Sequence, residues 1–168
     1  RPAQARPVGE ALAGSPLAAA DFSGERENTM GLATWRQLLG DCGDRLAEID
    51  PGLPDLIAGE LAFLEAEWPT DLPRSVIHAD LFPDNVLMLG NRVSGLIDFY
   101  FACTDVMAYD LAVTHAAWCF AADGTFRAGV SEALVAGYHE RRPLPPRAWA
   151  ALPVLARGAA MRFLASRA

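Results

Sequence analysis

Three side chains near the middle of this sequence have the types and spacing to do phosphoryl chemistry. An apolar pair, Val76-Ile77, leads into His78-Ala79-Asp80. Four residues then separate Asp80 from Asn85, and a second apolar pair, Leu96-Ile97, ends in Asp98. A carboxylate at Asp80 can orient a hydroxyl group and accept its proton. Asn85 and Asp98 offer a neutral and a charged hard oxygen, which suit a magnesium ion that keeps places for phosphates and water. Phosphoryl transfer asks a protein mainly for positioning and charge neutralisation.

The elements that must position these groups are legible around them. Ser75-Val76-Ile77 reads as a short buried strand that delivers His78 and Asp80. Pro83 stiffens the loop that follows by fixing its own φ. Val86-Leu87-Met88-Leu89 and Val93-Ser94-Gly95-Leu96-Ile97 read as two strands, with Gly90-Asn91 as a two-residue hairpin turn. Such a hairpin brings Asn85, before its first strand, beside Asp98, after its second, as a shared metal requires. Asp, Asn and Pro are also ordinary turn residues, and either short motif alone would describe a solvated loop. The joint order is more specific: strand, HxD, four residues, Asn, hairpin, apolar pair, Asp is the layout of a kinase catalytic loop and metal-binding element. His78 is expected to serve as a scaffold bonded to backbone near Asp98, because Asp80 already fills the role of base. Asp110 lies in an apolar helix and must be hydrogen-bonded there; it is expected to hold backbone N–H groups of the loop.

The rest of the chain reads as supporting helices. Leu32, Trp35, Leu39, Cys42 and Leu46 recur at helical spacing, with Gly40 and Gly43 weakening the middle. Asp50-Pro51 reads as an N-cap followed by Pro at the first helical position, and Leu53, Ile57, Leu61, Leu64 and Trp68 then form one face up to Pro69. Phe99-Tyr100-Phe101 is expected to wedge a buried turn against the core. Asp105 is expected to cap a helix from about Ala108 to Cys119. Phe126, Val130, Leu134 and Tyr138 make another stripe. Trp149, Leu152, Leu155, Ala159 and Phe163 make the last, which Pro153 should kink or split. Arg157 and Arg162 on it are expected to be exposed or paired with acids, with one of them able to approach an acidic substrate group. Tyr100 and Trp118 are candidates for the wall of an acceptor pocket. Residues 1–30 are the least legible: Gly14-Ser15-Pro16 should interrupt an opening helix, and the segment is expected to be a poorly ordered lead-in.

Composition narrows the function classes. The chain has 168 residues, 52% of them hydrophobic, enough for one compact domain with a real core. A net charge of −7 argues against a nucleic-acid or anionic-membrane surface. No apolar run suggests a membrane span or a signal peptide. Cys42, Cys103 and Cys119 lack metal spacing and read as reduced thiols of a cytoplasmic protein. All 14 basic residues are arginine. The lysine and glycine-rich loop that normally cover ATP phosphates are therefore missing, which implies an ATP-covering lobe upstream of this chain.

The run HADLFPDN…GLIDFYFACTD…AYDLA…AWCF resembles the aminoglycoside-phosphotransferase and choline-kinase superfamily, and within it the homoserine kinases. Residues 78–85, 97–102 and 105–112 carry the match. The resemblance implies a helix-rich α/β (α+β) domain over residues 31–168, the C-terminal lobe of a protein-kinase-like fold with a small catalytic β-hairpin. It implies ATP- and magnesium-dependent phosphorylation of L-homoserine, a step towards threonine, with Asp80 as base, Asn85 and Asp98 as magnesium ligands and Asp110 as the structural aspartate. The partners implied are ATP and a small hydroxyl substrate. Two alternatives stand beside it: an aminoglycoside or amino-alcohol kinase of the same superfamily, and a non-catalytic kinase-like binding domain. Gly14-Ser15-Pro16 departs from the family's continuous helix, and the helices that normally follow Phe163-Leu164 are absent, so the acceptor pocket is expected to be incomplete; without the ATP-covering lobe this chain alone is expected to be inactive.

Overall fold

The structure is a computed structural model that describes residues 2–168. Its elements run α1 (Pro2–Ala18), α2 (Leu32–Cys42), α3 (Arg45–Ile49), α4 (Leu53–Glu67), β1 (Arg74–Ile77), β2 (Val86–Leu89), β3 (Arg92–Leu96), β4 (Cys103–Val106), α5 (Met107–Trp118), α6 (Ala128–Arg141) and α7 (Pro146–Ala165). It is the helix-rich fold expected from the sequence, with two small antiparallel ribbons. In the first, β2 pairs with β3 across Gly90-Asn91, with Leu89 opposite Arg92 and Val86 opposite Leu96. Gly90 takes a φ of 63°, the left-handed value that a two-residue hairpin turn asks of its first central residue. The second ribbon, β1 with β4, joins Ile77 to Cys103 and Arg74 to Val106. The sequence reading has no β4, because a four-residue strand after a turn gives too short an alternation to recognise.

Helix α5 is the centre of the core. Every residue from Met107 to Thr114 is buried, as α7, α6, α1 and β1 pack around it. An all-round burial of this kind explains why its sequence shows no amphipathic stripe. At one end Tyr109 meets Trp35 of α2 and Trp68 at the close of α4, with ring centroids 6.4 and 5.3 Å away. Gly158 lets α7 close onto this cluster, since a Cβ there would lie 2.4 Å from the Trp68 ring.

Several expectations are corrected by packing. Helix α1 runs unbroken through Gly14-Ser15-Pro16, and Ala5, Val8, Leu12 and Ala13 enter the core, so the opening segment is structural rather than a loose lead-in. Pro7 and Pro16 each remove a ladder donor, but α1 lies so tightly on α6 that tertiary burial outweighs the loss. A Cβ on Gly9 would fall 2.1 Å from the Leu134 carbonyl oxygen, and one on Gly137 2.2 Å from that of Arg6. The long helix expected from Leu32 to Leu46 breaks where Gly43 adopts a φ of 52°. Asp50 does not cap α4: it accepts the Gly52 N–H at 2.7 Å in a turn, and the helix begins at Leu53. Pro153 neither splits nor ends α7. Phe126 precedes α6, bridging to Phe120 instead of joining the helix stripe.

Candidate active site

The loop between β1 and β2 is built around one buried carboxylate. Asp110, in the first turn of α5, accepts the His78 N–H at 2.9 Å and the Ala79 N–H at 2.7 Å. Burial pushes its carboxyl group above the usual carboxylate range, and the two N–H groups oppose that push by favouring the charged form. Ala79, gripped in this way, has a φ of 60°. The left-handed region costs an L-residue roughly 1–2 kcal/mol, and the pair of hydrogen bonds from Asp110 holds the peptide there. The twist at Ala79 lets the chain reverse within one residue, burying His78 and leaving the next side chain, Asp80, partly exposed.

His78 ties the loop to the end of the hairpin, beside Asp98. Its Nδ1 accepts the Asp80 N–H at 3.3 Å, which leaves Nε2 protonated and donating to the Ile97 carbonyl oxygen at 3.0 Å. The Phe99 ring lies over the imidazole at 4.7 Å between centroids. The Asp80 carbonyl oxygen accepts both the Phe82 N–H at 2.8 Å and the Asn85 side-chain amide at 2.8 Å. Its NH2 is so engaged, and among the described residues the side-chain oxygen of Asn85 has no hydrogen-bond donor. The Ile97 N–H bonds the Asn85 carbonyl oxygen at 3.0 Å, so the hairpin sets Asn85 next to the residue that precedes Asp98. Asp98 is exposed and takes a φ of 61° and a ψ of 63°. Ala79 and Asp98 are the two non-glycine residues with positive φ among the described residues, and both belong to this loop pair.

Asp80 has a partner that the sequence left open. Arg162 of α7 donates from Nη2 to Asp80 Oδ1 at 3.0 Å, and its side chain is 4% exposed. Its guanidinium lies 5.2 Å from the centroid of the Phe101 ring and 5.6 Å from that of Phe163. The signal was present in the spacing: Arg162 continues the Leu155, Ala159 stripe at i+7 and i+3, so it sits on the buried face. Arg157 lies on a different face, where it makes a two-pronged contact with Glu60 at 2.8 and 2.7 Å and stacks on Phe63.

The two candidate pocket-wall residues have separate fates. Trp118 is buried and donates from Nε1 to the Leu81 carbonyl oxygen at 2.9 Å, bracing the loop from beneath. Tyr100 sits on an outward-facing turn, 71% exposed, with its carbonyl oxygen accepting from Arg26 at 2.7 Å. The buried wedge expected from Phe99-Tyr100-Phe101 is not formed, because the left-handed Asp98 swings the chain out into a 3-10 turn. Asp105 lies within β4 and caps no helix; it accepts from the Asn28 amide at 2.8 Å and from the Val106 N–H at 2.7 Å.

A twisted HxD loop, a hairpin that returns an Asp to its Asn, and a lobe of helices behind them define a phosphotransferase of the kinase-like type. The sequence matches the phosphotransferase enzyme family over residues 1–144, and the chain belongs to that family. Among similar proteins, a homoserine kinase of Beijerinckia indica is 56% identical over 160 residues, covering 95% of this chain and 50% of that protein. The chain thus spans about half the length of the curated relatives it matches. The fold is shared with a choline/ethanolamine kinase family protein from Mesorhizobium loti, at a TM-score of 0.62 and 20% identity, over 98% of this chain and 52% of that one. It is shared equally with a macrolide 2'-phosphotransferase from Brachybacterium faecium, at a TM-score of 0.61 and 24% identity, over 99% and 52%.

Proposed function

We propose that the protein carrying this lobe transfers the γ-phosphoryl group of ATP to the hydroxyl of L-homoserine, giving O-phospho-L-homoserine for threonine synthesis. The observation that carries the reading is the Asp110-held loop, which fixes Asp80, Asn85 and Asp98 at one end of the hairpin. The similarity to homoserine kinases over 95% of the chain supports the choice of acceptor.

In this reading Asp80 holds the acceptor hydroxyl at its carboxylate and takes its proton as the bond to phosphorus forms. Arg162 and the backbone at Ala79 fix the carboxylate in place. The donor set fits magnesium: the Asn85 amide is oriented by its own hydrogen bond so that its oxygen is free, and the Asp98 carboxylate is exposed. No group of three or more His, Cys, Asp or Glu side chains among the described residues is placed to hold an ion. Two protein oxygens completed by phosphates and water match magnesium bound with a nucleotide. Asn85 and Asp98 would hold it, and when bound it would neutralise charge on the phosphates. The phosphate-gripping lysine, absent from this chain, would come from the remainder of the protein, and the isolated chain would be inactive. On the likeness to bacterial homoserine kinases we place the reaction in the cytoplasm. No helix among the described residues is long and apolar enough to cross a membrane.

The test is ADP release by the full-length protein with magnesium-ATP and a panel of L-homoserine, choline and an aminoglycoside. Turnover dependent on homoserine and well above the others is expected. Turnover with another acceptor alone would overturn the substrate and keep the chemistry.

A further inference from the structure

We infer that Arg162 is the acceptor's carboxylate anchor, so that one guanidinium both steadies the base Asp80 and selects an acidic or zwitterionic hydroxy compound over a neutral or polycationic one. This rests on the reading of Asp80 as base and of a hydroxy amino acid as acceptor.

Arg162 is almost wholly buried, and among the described residues a single one of its N–H donors is engaged, Nη2 with Asp80. Its other donors are not among the buried polar atoms left without a partner, so they reach open space, and a carboxylate is the group that fills a planar fork. The rings of Phe101 and Phe163 flank it and restrict where the free edge points. That edge borders a cavity of about 200 Å³ that also contains Asp80 and Phe82. Asp80 is its one lining carboxylate among the described residues, and a second lining cation, Arg167, stands over Phe82 and Phe163. The field is therefore positive around a single base. A polycationic sugar finds no acid here beyond the one its hydroxyl must approach. In a 4-hydroxy amino acid, three carbons separate carboxylate from hydroxyl, and the neighbouring positions of Arg162 and Asp80 address those two ends.

The experiment compares kcat/KM of the full-length protein for L-homoserine and for its primary amide, which has the same hydroxyl and no negative charge. The wild type should prefer homoserine by about 100-fold, the usual scale of a buried, hydrogen-bonded charge pair. Arg162→Gln should erase most of that preference, and Arg162→Lys, which keeps the charge but not the fork, should recover part of it. A residue that only steadied Asp80 would slow both acceptors alike and leave the ratio unchanged, and that result would overturn the inference while sparing the kinase reading. Equal use of both acceptors by the wild type would overturn it without any variant. No phosphorylation of homoserine by the wild type would overturn the acceptor reading on which it stands.

Discussion

The carboxylate of Asp110, on α5, holds the backbone N–H of Ala79 at 2.7 Å, at the point where the chain bends into a left-handed φ of 60°. Its other oxygen holds His78 N–H at 2.9 Å. One side chain thus fixes the peptide on which the position of Asp80 depends, and it does so from the most buried helix of the domain. Asp110→Asn keeps the shape but presents an NH2 group to one of the two N–H donors. It should lower stability by about 2–3 kcal/mol, the scale of a broken buried hydrogen bond to a charged group, and reduce kcat of the full-length protein more than its affinity for magnesium-ATP. Denaturant unfolding and single-turnover kinetics check this; unchanged kcat would separate Asp110 from the loop.

The α1–α6 crossing makes a prediction opposite to the general rule for helices. Replacing a mid-helix glycine by alanine normally stabilises by about 0.4–1 kcal/mol. At Gly9 or Gly137 the added methyl would meet backbone carbonyl oxygens at 2.1 or 2.2 Å, so Gly9→Ala and Gly137→Ala should instead destabilise by about 1–3 kcal/mol. Gly14→Ala, in the same helix α1 with nothing within 4 Å of the new Cβ, should be neutral or stabilising. Chemical denaturation of all three gives the comparison.

How much of this was legible in the sequence follows from how local each signal is. The β2–β3 hairpin is legible because its strands meet across a two-residue turn, so its register is set by neighbours in the chain. Asp110 could be read because a carboxylate inside an apolar run needs partners. What could not be read was set by distant packing. Helix α1 survives two prolines because α6 lies against it, and no window of sequence contains that fact. Strand β4 exists because β1, nearly thirty residues earlier, offers it an edge. The apolarity of Phe99-Tyr100-Phe101 suggests a buried turn, whereas the left-handed Asp98 leaves Phe99 and Tyr100 exposed. Arg162 is the instructive intermediate: its place on an apolar stripe was visible, but its contact with Asp80 is a tertiary pairing across eighty-two positions.

His115 gives the domain a pH dependence of definite sign. Burial lowers its affinity for a proton below the ordinary 6.5, with Ser131 bonded at 2.8 Å and the rings of Phe120 and Phe126 beside it. The unfolded chain therefore binds the proton more readily than the folded one as pH falls below about 6.5. The stabilising contribution is fully present above that value and is lost as pH drops towards the lower folded pKa. His115→Gln should flatten the decline in stability between pH 7.5 and 5.5 relative to wild type; parallel curves would contradict the assignment.

The thiols should separate by burial. Those of Cys103 and Cys119 are pushed up to about 12 by desolvation, so neither carries thiolate at neutral pH. Cys42 is half-buried at the end of α2. Brief alkylation of the folded chain, mapped by mass spectrometry, should label Cys42 first and leave the other two intact until denaturant is added.

In the proposed reaction Asp80 accepts the acceptor's proton, while the nucleotide is held by other residues. The most direct measurement is turnover of the full-length Asp80→Asn variant with homoserine, beside calorimetric titration of the same variant with magnesium-ATP. The account predicts a loss of turnover of about three orders of magnitude or more, within the usual contribution of positioned acid–base groups together with substrate orientation, while nucleotide affinity stays close to wild type. Turnover near the wild-type rate would contradict it.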